Sequence, residues 1–195
     1  MSKTRVAMLS GITLAAVVVA TVAPAAAQDA KPKTFRFTAI AMNMGAGPNA
    51  GLVDINIERL SSDEERAGLL TIFFEKGGEA LLNALQKVKP RVGYIRLPRS
   101  LGYDLQYAYR VVNPDGTSRV VIATDRPISF QEARRDPRVS DYPFTLIEMR
   151  LDKSGNGEGK LAAATRISRS KDRKTMELEN YGIAPVALTE IKLQK

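Results

Sequence analysis

The stretch "LVDINIERL" (Leu52 to Leu60) restricts the backbone more than any other part of the chain. Val53, Ile55 and Ile57 alternate with Asp54, Asn56 and Glu58. Extended backbone sends successive side chains to opposite sides, so this order gives one apolar and one polar face. A helix would scatter the same residues around its axis. The period returns in "TFRFTAIAM", where Phe35, Phe37, Ala39 and Ala41 share a side. Arg91 to Leu97, Tyr103 to Val112 and Ser118 to Thr124 read the same way. So do "FTLIEMRL", "KLAAATRI", "TMELENY" and "PVALTEIKL", which brings the count to about nine strands.

The period changes once. "SSDEERAGLLTIFFEKGG" opens with hydroxyl residues and acids, and Ser62 with Glu65 matches a capping box, in which each side chain satisfies a free backbone N–H. Leu69, Leu70, Phe73 and Phe74 then form a broad helical stripe, with Gly77 or Gly78 as the stop. A second helix from about Glu79 to Lys89 carries Leu81, Leu85 and Val88 before Pro90. The spacing predicts a helical hairpin inserted into a chain of strands.

Turn chemistry sets the remaining connections. "NPDGT" predicts a hairpin between two strands, and "NMGAGPNAG" is a loop. Short links between strands make the sheet antiparallel. The fold class is therefore α+β: a curled antiparallel sheet, or a partly closed barrel, with one helical hairpin. The crossing from Asp125 to Pro143 is long, holds Arg134, Arg135 and Arg138, and suits a flap with one short helix capped by Ser129 and Glu132.

The amino terminus speaks to location. Lys3 and Arg5 precede an apolar run from Val6 to Ala23, and Ala25-Ala26-Ala27 supplies the small-residue pattern of a signal peptidase site. Residues 1–27 are expected to leave as a signal peptide, placing the chain in the periplasm or outside the cell. Residues 28–33 read as a disordered lead-in and 34–195 as a single domain, long enough to bury roughly 70% of its extended-chain surface without disulfide staples. There is no cysteine to carry a lipid at the mature end. Removing Lys3 and Arg5 leaves 27 basic against 21 acidic residues, a net charge of +6. A positive surface favours anionic envelope polymers or lipid head groups, and export argues against nucleic acid as a partner.

Histidine and cysteine are both absent. Ser–His and Cys–His nucleophile pairs are thereby removed. Zinc, copper and non-haem iron sites lean on imidazole or thiolate, so no metal is expected. No dinucleotide glycine fingerprint or phosphate-binding P-loop occurs, and no cofactor is expected. "LDKSGNGEGKL" places Asp152, Ser154 and Asn156 in the register of a calcium loop, but Ala163 stands where the bidentate Glu belongs and the flanks alternate as strands. It reads as a hairpin loop. Carboxylate chemistry on cell-wall sugars is the alternative to a binding role, yet Asp54, Glu58, Glu148, Glu177 and Glu179 all fall where a strand faces water.

The candidate contact residues lie in "RVGYIRLPRSLGYDLQYAYR". Arg96, Arg99, Tyr103, Tyr107 and Tyr109 bring guanidinium groups and aromatic platforms together, a combination suited to sugars or acidic small molecules. Period two puts Tyr103, Leu105, Tyr107 and Tyr109 on one face, to be packed or to line a cavity inside a curled sheet. "RISRSKDRK" (Arg166 to Lys174) is the densest basic stretch, and as a hairpin tip it could meet anionic polymer or lipid.

"IERLSSDEERAGLL", "ALLNALQKVKPRVGYIRLPRSLGYDLQYA", "ATDRPISFQEA", "DYPFTLIEMRLDKSGNGEGKL" and "MELENYG" resemble segments of a group of secreted bacterial proteins with no assigned activity. The resemblance spans roughly Gly51 to Leu193. It implies a single exported domain and carries no catalytic or binding residue across. The sequence therefore leads to an exported, non-enzymatic binding domain of the cell envelope.

Overall fold

Alternation builds the strands, and the computed structural model describes them over residues 34–42, 50–98, 100–128, 141–170, 175–180 and 185–194. In chain order they are β1 (Phe35–Met42), β2 (Ala50–Ile57), β3 (Gly93–Arg96), β4 (Tyr103–Leu105), β5 (Tyr107–Val112), β6 (Ser118–Ala123), β7 (Phe144–Leu151), β8 (Gly157–Arg169), β9 (Met176–Asn180) and β10 (Val186–Gln194). Nine of them follow in the order β4-β3-β2-β1-β10-β8-β7-β6-β5, every pairing antiparallel, and β9 adds to the far half of β8. Two helices, α1 (Asp63–Lys76) and α2 (Gly78–Leu85), complete an α+β fold.

The two ends of that path, β4 and β5, are consecutive in sequence. One bent segment thus pairs through its first half with β3 and through its second half with β6, which brings the sheet round into a nearly closed barrel. At the bend, Leu105 and Gln106 are both buried, so one residue is spent without a change of face. A seam stays unsealed there. Ser61 stitches it: its N–H donates to the Ala108 carbonyl at 2.7 Å, and its hydroxyl accepts from the Ala108 N–H at 3.2 Å.

The inner face is filled with side chains. Phe37, Ile55, Ile95, Leu105, Ile122, Ile147, Met149 and Leu161 come from seven strands and are essentially inaccessible to water. Two further irregularities fit the strands to the curve. Glu190 takes φ +48° and lets Leu188 and Ile191, three apart, both face inward. In β8 the register slips by one residue opposite Phe144 and Leu146, so Leu161 points into the barrel while Ile167 packs outside it.

The helices lie on that outer side. Ser62 accepts from the Glu65 N–H and Glu65 Oε2 accepts from the Ser62 N–H, which realises the capping box and starts α1. Gly77, at φ +92°, ends it by donating to the Phe73 carbonyl. A Cβ on Gly78 would meet the Ile167 carbonyl oxygen at 2.3 Å, so this turn presses directly on β8. Arg169 holds the same corner by donating to the carbonyls of Phe74 and Glu75 at the helix end. Phe73, Leu81 and Leu85 then pack on Phe144 and Ile167 as a second apolar cluster. α2 stops at Leu85, short of the expected Lys89, because the chain must turn toward Pro90 and β3.

Candidate functional site

The arginine–tyrosine segment does not form one surface. Tyr103 and Leu105 side with the barrel core, whereas Tyr107 and Tyr109 point outward on β5. The expectation of a shared face is corrected by the bend at Leu105 and Gln106, which shifts the alternation by one. Beyond it Ala108 is the inward residue, and Arg110 lies over the Phe35 ring at 5.2 Å. Arg96 sits on the outer side of β3, over Tyr94 at 5.6 Å, and Arg91 lies over the same ring at 5.3 Å. That ring is occupied by the protein's own cations. Arg99 lies outside the described residues.

Tyr107 and Tyr109 meet in a different place: a groove of about 360 Å³ between the helical hairpin and the outer face of the sheet. Its floor is Tyr107 and Tyr109 from β5, Val121 from β6 and Leu146 from β7. One wall is α1, presenting Arg66, Leu69, Leu70 and Phe73, continued by Leu81 and Leu85 of α2. Ile167, Met176 and Leu178 from β8 and β9 close the far side. The two tyrosine rings stack, with centroids 6.4 Å apart and planes 14° from parallel. Leu178 remains 56% exposed and Val111 48%, so the groove opens onto an uncovered apolar rim.

Cations mark the β5 end. Arg66 sits over the Tyr109 ring at 5.0 Å. The Tyr109 hydroxyl donates to Asp63 Oδ1 at 2.8 Å, and that bond to a carboxylate pushes the phenol's pKa up. Burial raises the pKa of Tyr107, opposed by the adjacent Arg66 guanidinium. Both phenols therefore stay neutral hydrogen-bonding groups at ordinary pH. Arg119, the other cation at the groove, is held by Glu148 at 3.1 Å.

Elsewhere the sequence motifs have structural duties. Asp152 Oδ1 accepts from the Ser154 and Asn156 N–H groups at 2.8 and 2.9 Å, so the glycine-rich loop turns β7 into β8. Among the described residues no cluster of His, Cys, Asp or Glu is placed to hold a metal ion. In the basic stretch, Arg166 lies over Tyr142 at 4.8 Å and Arg169 holds α1, while 171–174 lie outside the described residues. Residues 129–140 of the long crossing, including the second capping pair and Arg134, Arg135 and Arg138, lie outside them too. Of the water-facing acids, Glu58 binds Arg91, Glu148 binds Arg119 and Arg150, and Glu179 accepts from the Tyr142 hydroxyl.

Sequence reasoning did not reach Arg66, Leu146, Met176 or Leu178 as groove residues. A signal was available in the α1 stripe, where Leu69, Leu70, Phe73 and Phe74 span a face broader than one short helical neighbour covers. No protein-family model, curated protein or solved structure matches the chain, so the groove is read from its own geometry.

Proposed function

We propose that this is an exported, non-enzymatic binding domain whose site is the groove beneath the helical hairpin, and that it takes a small apolar or amphipathic molecule of the cell envelope. One observation carries the reading: an apolar groove of about 360 Å³, floored by two stacked tyrosines and opening to water. Ligand sites are typically concave, largely apolar and roughly 300–1,000 Å³, with a few placed polar groups. Here those groups are the Tyr107 hydroxyl and Arg66. The amino-terminal charge, apolar run and Ala-rich exit support export. The inner face of the barrel is packed with side chains, which favours the outer site over a ligand inside the sheet.

The test is titration with an uncharged, polarity-sensitive dye such as N-phenyl-1-naphthylamine. Saturable fluorescence enhancement at one dye per chain is expected. Leu146→Trp, which fills the groove floor, should abolish it while the circular dichroism spectrum is kept. Absence of saturable binding, or binding indifferent to Leu146→Trp, would remove the groove as the site.

A further inference from the structure

The polar end of the groove is built asymmetrically, and the asymmetry says what the ligand carries. Among the groove-lining residues described, two are cations and none is an acid. Of the two, Arg119 already has Glu148 at 3.1 Å. Arg66 has no carboxylate within ion-pair distance among the described residues, although it stands in the acidic first turn of α1. Its neighbours are engaged elsewhere: Asp63 accepts the Tyr109 hydroxyl, and Glu65 takes the Arg59 guanidinium at 2.8 Å together with the Ser62 N–H. Arg66 is left over the Tyr109 ring and beside the Tyr107 hydroxyl at the mouth of an apolar trough.

Resting on the reading of the groove as a ligand site, we infer that the ligand is a single-chain carboxylate amphiphile, its head group held by Arg66 and its chain laid along Leu69, Leu70, Leu146 and Leu178, the lining residues that keep exposed surface. A guanidinium offers two parallel N–H donors that match a carboxylate, and such charge-assisted pairs are stronger than neutral hydrogen bonds. The Tyr107 hydroxyl, half-buried beside Arg66, is placed as a further donor. Asp63, which accepts from the Tyr109 hydroxyl, keeps negative charge close by and so favours a monoanion over a dianionic phosphate. Volume limits the chain. At roughly 30 Å³ for each water-sized unit the groove holds about a dozen heavy atoms, a medium-length single chain and not two.

The experiment compares ligands of one length and different heads: decanoate, decanol, decyl phosphate and decyltrimethylammonium, each displacing the uncharged dye from the full chain. Decanoate should bind about tenfold or more tighter than decanol, the scale of one charge-assisted contact. In Arg66→Met, which keeps an apolar stem and a good helix former, that ratio should fall to about one. Decanoate no better than decanol, or a preference unchanged in Arg66→Met, overturns the head-group assignment and leaves the groove standing. Decyl phosphate binding tighter than decanoate overturns the carboxylate. If none of the four displaces the dye, the single-chain amphiphile is wrong; if the dye itself never bound, the groove is.

Discussion

The two faces of this sheet are buried by different means. The inner face is covered by the sheet itself: once the strands curl round, every inward side chain meets one from another strand, and the apolar cluster fills. The outer face over β5 to β8 depends on a cover made elsewhere. α1 and α2, of 14 and 8 residues, are about 21 and 12 Å long at 1.5 Å per residue. β8 alone, at 13 residues, runs to about 43 Å. The cover is shorter than what it covers. Phe73, Leu81, Leu85, Phe144 and Ile167 are sealed beneath it, whereas Val111, Met176 and Leu178 are left at its edge. Closure leaves no room for a ligand to choose; a short lid over a long sheet leaves a groove.

The sharpest way to break that contrast is to cut matching holes in both layers. Ile122, wholly buried inside the barrel, should cost about 2–5 kcal/mol when replaced by Ala, since the surrounding sheet cannot collapse into the cavity. Leu70, half-buried on the groove wall, should cost no more than about 1 kcal/mol in Leu70→Ala. Urea unfolding monitored by circular dichroism measures both. Equal losses would mean that the outer layer is as tightly packed as the inner one, and the groove would not be a standing cavity.

The seam is where the inner layer comes nearest to failing. Ser61 supplies both bonds across it, and its side chain is the acceptor for the buried Ala108 N–H. Ser61→Ala leaves that donor without a partner, a loss expected at about 1–3 kcal/mol. Native-state hydrogen exchange should show the Ala108 amide losing protection ahead of the Ile122 amide. Equal exchange at both positions would show that the barrel is held shut by something other than this stitch.

Most of the architecture was legible because burial is one-sided. Phe35, Phe37, Val53, Ile55, Ile57, Ile147 and Met149 each fall on the inner face that period two assigns them. The capping pair Ser62 and Glu65 forms as its spacing predicts, because both groups are local in sequence. What failed were residues after a slip. At Leu105 and Gln106 one extra position reverses the faces downstream, so four residues that alternate perfectly on paper divide into two and two. The same happens in "KLAAATRI", where small alanines hide the slip between Leu161 and Ile167. Bulges of this kind answer to the curvature of the closed sheet, a property of the assembly that no single segment carries. The groove was out of reach for the same reason: it is assembled from seven elements whose only common feature is where the helical cover stops.

The smallest effect concerns how firmly that cover is anchored. Glu65 serves α1 twice, as the acceptor that completes the cap and as the partner of Arg59 at 2.8 Å. The hydrogen bond from Arg59 is the main cause that lowers its pKa below the ordinary 4.5. A carboxyl lowered in the folded state contributes stability above its unfolded value and loses it as pH falls through the folded one. The contribution is therefore present at neutral pH and disappears in the acid range below 4.5. With 39% of the side chain exposed, solvent screens the pair, and it should be worth only about 0.2–1 kcal/mol. Glu65→Gln separates the two roles, because glutamine can still accept from the Ser62 N–H but carries no charge. The stability gap between the two proteins should be open at pH 7 and close as pH drops past 4. A gap that stayed constant across that range would assign Glu65 to packing, and the corner of the cover beside Arg66 would owe nothing to charge.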